Sequence, residues 1–221
     1  EELSTSDIIS VYSHDSTGKV EIVKTDSSGS EIWNKEILQV SVMDLLATPD
    51  SGFLLVGRTS GWGAYLWKFN GNGDSLWYKE YVPTVTSAEI KTVINTSDGN
   101  FMTVIYDFGY KLMKVNPVGS IIWTKPMTYS FVAPLLETSD SRIIVVGGIN
   151  QDLKISKFNN QGDSIWVEHS DFQIVGSPMS VAAAPDEGLY IMGRSLDMGG
   201  AFLMKTDSLG VAHSNRVFGK I

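Results

Sequence analysis

The chain has 221 residues, 43% of them hydrophobic, and sets 17 basic against 25 acidic side chains for a net charge of −8. That length and apolar content can bury a sizeable core, while the acidic balance and the scatter of the cations argue against a nucleic-acid partner, since phosphate binding needs clustered Lys and Arg. There is no cysteine, which excludes disulfides, thiolate metal sites and a cysteine nucleophile, and no apolar run reaches the roughly 18 to 20 residues of a membrane-spanning helix.

The first predicted element is a polar turn, Leu3-Ser-Thr-Ser-Asp7, which returns as Leu46-Ala-Thr-Pro-Asp50, Ile94-Asn-Thr-Ser-Asp98, Leu136-Glu-Thr-Ser-Asp140 and Ala182-Ala-Ala-Pro-Asp186. Apolar runs flank it, as Met43 to Ala47 and Phe53 to Val56 do in the second copy, so each copy reads as a β-hairpin. Asp and Ser open such turns by bonding their own backbone, and Gly52, Gly99 and Gly188 stand where a positive φ is expected.

A second hairpin follows each of these: Lys24…Asp26…Gly29, Lys68…Asn70…Gly73, Lys114…Asn116…Gly119, Lys157…Asn159…Gly162 and Lys205…Asp207…Gly210. Asx at the first turn position with Gly three residues on fits a type I turn closed by a left-handed Gly bulge. Strands lead in, as in Tyr65 to Lys68, and out, as in Ser75 to Tyr78. Trp33, Trp77, Trp123 and Trp166 follow the first four glycines at a fixed spacing, and Ser214 takes that place in the last copy.

Both series recur about every 45 residues, and no segment has a helical apolar period. Four short antiparallel strands per repeat, A to D, at that period describe a blade of a β-propeller. The fold expected is therefore all-β: a five-bladed β-propeller in a single domain spanning 1–221, with repeats at approximately 1–39, 40–85, 86–129, 130–175 and 176–221. Strand A, apolar on both faces as in Met43, Leu45 and Leu46, is expected to lie buried between blades, and alternating strand D, as in Trp77 to Tyr81, to form the outer edge. The repeated Trp is expected to cover the seam between blades. Residue 1 aligns with the middle of a strand A and Val217 to Ile221 with the end of a strand D, so the first inner strand is expected to be short: either the five blades close by simple apposition, or the ring leaves an edge that another chain could pair with.

The stretches Lys68 to Trp77 and Lys157 to Trp166, read as Lys-x-Asx-x-x-Gly-Asp-Ser-[Leu/Ile]-Trp, resemble repeats of uncharacterised secreted and cell-surface β-propeller proteins of bacteria and archaea, and more distantly those of quinoprotein-like propellers. The resemblance implies an extracellular or cell-surface module used for contact rather than chemistry.

A test for chemistry points the same way. Asp44, Glu89 and Glu137 lie at different offsets from their turn aspartates, so they do not form the facing pair that glycoside hydrolysis needs. His14, His169 and His213 belong to different repeats and strand phases, with no zinc-type spacing. The turns Asp26 to Glu31 and Asn70 to Asp74 lack calcium-loop spacing. No catalytic residue, metal or cofactor is expected.

Binding is expected at the unrepeated loops. Trp62, Tyr106, Phe108, Tyr129, Phe131 and Phe172 are large rings in predicted connections that the scaffold does not require, and Arg58 and Arg194 share a repeat position beside them. The expected partner is protein, either a second copy or another surface protein, giving a structural module that assembles through its incomplete first blade and exposed edges. A glycan-binding lectin is the second expectation, and a glycan-active enzyme with an unrecognised site the third.

Overall fold

The computed structural model describes residues 2–3, 6–14, 19–81, 87–149, 152–170, 176–195 and 200–219. They form strands and turns only, arranged in five antiparallel sheets of consecutive strands. The first sheet is β1 (Ile8–His14), β2 (Lys19–Thr25) and β3 (Glu31–Leu38). The second is β4 (Val40–Ala47), β5 (Phe53–Thr59), β6 (Ala64–Phe69) and β7 (Ser75–Tyr81). The third is β8 (Ala88–Asn95), β9 (Phe101–Asp107), β10 (Tyr110–Val115) and β11 (Ile121–Met127). The fourth is β12 (Phe131–Glu137), β13 (Ile143–Ile149), β14 (Asp152–Phe158) and β15 (Ser164–His169). The fifth is β16 (Gly176–Ala183), β17 (Leu189–Ser195), β18 (Gly200–Thr206) and β19 (Ala212–Phe218).

The chain forms two compact units: residues 1–95 with 99–122, and residues 96–98 with 123–221. In the first unit the two faces of β5 serve different cores. Phe53 and Leu55 join Ile9, Ile22 and Tyr65 against the first sheet, while Leu54 and Val56 join Ile90, Val93 and Met113 against the third. A period of two, apolar on both phases, produces this division. Each such fully buried side chain contributes about 1.5–3 kcal/mol. In the second unit Ile144, Val146 and Ile155 of the fourth sheet pack on Ile191, Phe202 and Met204 of the fifth.

This corrects one expectation. The strand buried on both faces is the second of the second, third and fourth sheets, β5, β9 and β13, whereas β4 is half-buried along most of its length and Met43 is exposed. The first strand has a neighbour in its sheet on one side only. In the fifth sheet β17 alternates buried and exposed, leaving Tyr190 and Met192 uncovered.

The second hairpins are built as their residues predict. Gly29, Gly73, Gly119, Gly162 and Gly210 all have φ between 74° and 85°. The Asx side-chain oxygen accepts the N–H groups two and four residues on, as Asn70 does from Asn72 and Asp74 and Asp207 does from Leu209 and Val211, all at 2.9 Å. In the first hairpins the expectation holds for Gly99 alone. In the second, fourth and fifth copies the left-handed residue is Ser51, Ser141 or Glu187, directly after the aspartate, and in the first it is Ser6, directly before Asp7. Gly52 and Gly188 are needed for closeness instead: a Cβ there would fall 2.3 Å from the Phe69 carbonyl oxygen and 2.0 Å from that of Thr206.

The motif lysines and turn aspartates, separate in sequence, meet within the first, second, fourth and fifth repeats. Lys24 pairs with Asp7 at 2.9 Å, Lys68 with Asp50 at 2.8 Å, Lys157 with Asp140 at 3.1 Å and Lys205 with Asp186 at 2.8 Å. Lys68 is buried and also donates to Thr48 Oγ1 and the Phe69 carbonyl. Each Trp reaches the turn glycine of the next repeat: Trp33 lies on Gly73, Trp77 on Gly119, Trp123 on Gly162 and Trp166 on Gly210. Trp77 Nε1 donates to the Pro117 carbonyl at 3.0 Å and Trp123 Nε1 to that of Asn160 at 3.2 Å. Gly29 has nothing over it within 4 Å.

Candidate functional site: an open sheet edge and the turns of the first unit

The first sheet departs from the rest. Where the other four have a first strand, among the described residues this sheet has the bridge Glu2↔Ile8 beside β1, and β1 stands at the end of its sheet. The sequence predicts a short strand here; among the described residues the structure has a single bridge at Glu2. Leu3 N–H bonds the Asp7 carbonyl at 2.7 Å, Ser6 turns at a φ of 63°, and the chain then enters β1. Beside this edge is a cleft of about 560 Å³ whose walls are Ile9 to Ser13 of β1 and Val42 to Leu45 of β4.

The other first strands define what such a place holds. β4, β8, β12 and β16 each pair antiparallel with the next strand and each carries a register shift near its middle, at Val42/Asp44, Ile90/Thr92, Val132/Leu135 and Pro178/Ser180. Neighbouring first strands are stapled together by Asp44, which accepts from Thr92 Oγ1 at 2.9 Å and Val93 N–H at 3.0 Å, and by Asn95, which donates to the Ala47 carbonyl at 2.8 Å. On the other side of β4 lies the cleft.

The loop residues singled out by sequence fall into distinct settings. Arg58, near the end of β5, lays its guanidinium over the Trp62 ring at 4.4 Å. Trp62 sits in the β5–β6 turn at a φ of 68°, half exposed, and Phe108 in the β9–β10 turn at a φ of 51° with 76% exposure. Tyr106, on β9, meets Tyr110 edge-on at 5.1 Å. These four belong to the first unit.

In the second unit the rings have structural contacts. Tyr129 donates its hydroxyl to Ser156 Oγ at 2.7 Å, lies under the Lys154 ammonium at 4.5 Å, and is buried enough that its phenol is pushed well above the ordinary tyrosine range. Phe131 is not in a loop; it starts β12 and its ring occupies the space that a Cβ on Gly148 would need. Arg194 is an exposed residue of β17, and Phe172 lies outside the described residues.

Sequence reading missed Gln39 and Ser41. Gln39 joins β3 to β4 at a φ of 65°, and with Ser41, Arg58, Thr59, Ser60 and Trp62 it walls a cavity of about 240 Å³. No glycine marks that left-handed position, so no local signal announced it. The acids considered for catalysis are occupied elsewhere: Asp44 in the staple, Glu89 in an ion pair with Lys91, and Glu137 in bonds from Ser97 N–H and Oγ at 2.7 and 2.9 Å.

Known proteins resemble this arrangement in structure rather than in sequence. No family model matches the chain, and no curated protein does. Among solved structures, a protein of unknown function from Bacteroides caccae is 15% identical with a TM-score of 0.67, over 96% of this chain and 83% of its own. A streptogramin B lyase is 17% identical with a TM-score of 0.63, over 95% and 67%. The WD40 β-propeller domain of Doa1 is 17% identical with a TM-score of 0.57, over 84% and 60%. The fold is of the β-propeller type. At these identities the likeness carries the fold alone.

Proposed function

We propose that the protein is a non-enzymatic structural and interaction module of the extracellular space or cell surface, its five sheets acting as the blades of one propeller domain. It engages another protein chain, a second copy foremost, by strand addition to β1. The observation that carries this reading is the edge itself: among the described residues β1 stands at the end of its sheet, with Ser10 to Ser13 beside a cleft of about 560 Å³, at the place where the other sheets hold a first strand. A strand at the end of a sheet, beside a cleft with both apolar and polar walls, is what an added strand recognises, with the backbone supplying affinity and the walls selecting side chains. The exposed Tyr190 and Met192 of the fifth sheet add an uncovered apolar face suited to the same assembly. The extracellular setting rests on the likeness of the Lys-x-Asx-x-x-Gly…Trp repeats to those of secreted propellers.

Sedimentation and electron microscopy across a wide concentration range test this. Assemblies are expected to grow with concentration and to be lost in either Ser10→Pro or Val11→Pro, whichever carries the N–H aimed away from β2. A strictly monomeric protein throughout the range, including one whose own upstream segment fills the edge in cis, would refute strand addition between chains.

A further inference from the structure

The end of the first unit holds a groove that strand addition does not use. Its frame is two turns in conformations that side-chain-bearing residues seldom adopt: Gln39 at a φ of 65° between β3 and β4, and Trp62 at 68° between β5 and β6. They are locked together, since Ser60 N–H donates to the Gln39 carbonyl at 2.8 Å and the Trp62 carbonyl accepts from Ala88 N–H at 2.8 Å. Both residues are held left-handed by bonds from other strand ends, so the frame is fixed by the fold.

What the frame presents is a cation with no counter-charge. The Arg58 guanidinium is stacked on Trp62 at 4.4 Å, and among the described residues no carboxylate lies within ion-pair distance of it. It borders the cavity of about 240 Å³ whose other polar walls are the neutral Gln39, Ser41 and Ser60. Its planar fork of donors matches a carboxylate in two parallel bonds.

The groove continues past Gln39 and Thr59 into a second cleft of about 440 Å³ that ends on Trp67, Tyr78 and Glu80. Glu80 accepts a bond from Thr59 Oγ1 at 3.3 Å and is otherwise exposed. One end is therefore cationic and the other anionic, with aromatic rings at both. A polyphosphate would be repelled at Glu80, whereas a ligand with a single acid, several hydroxyls and an apolar ring face suits every wall.

We infer that this groove binds an acidic carbohydrate of at least two units, a uronate-type carboxylate on Arg58 and the neighbouring sugar ring against Tyr78 and Trp67. Titration calorimetry with a glucuronate-containing disaccharide tests it against three other probes: a neutral disaccharide of the same linkage, acetate, and a tripeptide carrying Glu. The acidic disaccharide is expected to bind at least tenfold tighter than each of the others. Arg58→Gln should remove that preference. Trp62→Gly, which removes the ring at a position glycine tolerates, should weaken binding with the thermal midpoint held. Arg58 lies outside the hydrophobic cores, and an unchanged amide spectrum would establish that Arg58→Gln is folded. Equal binding of the neutral sugar or of acetate, tighter binding of the peptide, no binding of any probe at tens of millimolar, or full retention by Arg58→Gln would each overturn the inference.

Discussion

Replacing Lys68 by methionine probes the bond that ties the two hairpins of a repeat. The ammonium is buried and makes three bonds, at 2.8 Å to Thr48 Oγ1, 2.8 Å to Asp50 Oδ1 and 3.1 Å to the Phe69 carbonyl. Methionine keeps the aliphatic stem, so the loss is polar. The Asp50 side chain is 58% exposed and recovers water when its partner goes, which discounts the ion pair to under about 1 kcal/mol. The carbonyl of Phe69, a residue only 3% exposed, is left without its donor, at about 1–3 kcal/mol. Release from holding a charge in the interior offsets part of this. The net expectation is a loss of about 2 kcal/mol, and about 1 kcal/mol for Asp50→Asn, because there the lysine keeps its other two acceptors. Urea unfolding followed by tryptophan fluorescence and circular dichroism measures both variants. A cost for Lys68→Met within about 0.5 kcal/mol of zero, or one smaller than that of Asp50→Asn, would refute the account of a buried structural lysine.

Gly119 and Gly29 share a left-handed backbone, at 81° and 85°, but a Cβ on Gly119 would lie 3.0 Å from the Trp77 ring and one on Gly29 would meet nothing within 4 Å. Gly119→Ala is therefore expected to cost about 2–3 kcal/mol and Gly29→Ala about 1 kcal/mol, the difference in urea midpoint reporting the tryptophan seam. Tyr129→Phe should cost about 1–2 kcal/mol by thermal melting, since it strands the buried Ser156 hydroxyl. Acid should destabilise the fold. The Lys205 hydrogen bond holds Asp186 below the ordinary carboxylate range, the Thr138 hydroxyl and then Lys157 do so for Asp140, and for Asp50 the bonds from Lys68 and Thr48 outweigh the opposing effect of burial. A carboxyl whose folded pKa is depressed stabilises above its unfolded value of about 3.9 and loses that contribution as pH falls through the folded value. Stability measured against pH should thus be level above about pH 5 and fall below about pH 4, whereas stability rising on acidification would contradict the pairing.

The sequence by itself determined the strands and turns, because the forces that make them act within a few residues. An Asx oxygen reaching N–H groups two and four places on, a glycine at positive φ and an alternation of side chains all leave their mark in the local order of residues. The same holds for Trp62 and Arg58, close enough along the chain for one turn to stack them. Contacts across sheets were decided only in three dimensions. The partnership of Lys68 with Asp50 spans 18 residues and the reach of Trp77 to Pro117 spans 40, and the periodic residues could not say what they touch until the sheets packed. Phe131 looked like a loop ring because nothing in its neighbourhood foretold that Gly148 would make room for it. Gln39 adopts a left-handed turn with no glycine to signal it, since the Ser60 bond from another strand end holds it there. The place of β1 at the end of its sheet is of the same kind, since strand neighbours are set by long-range pairing rather than by the residues of the strand itself.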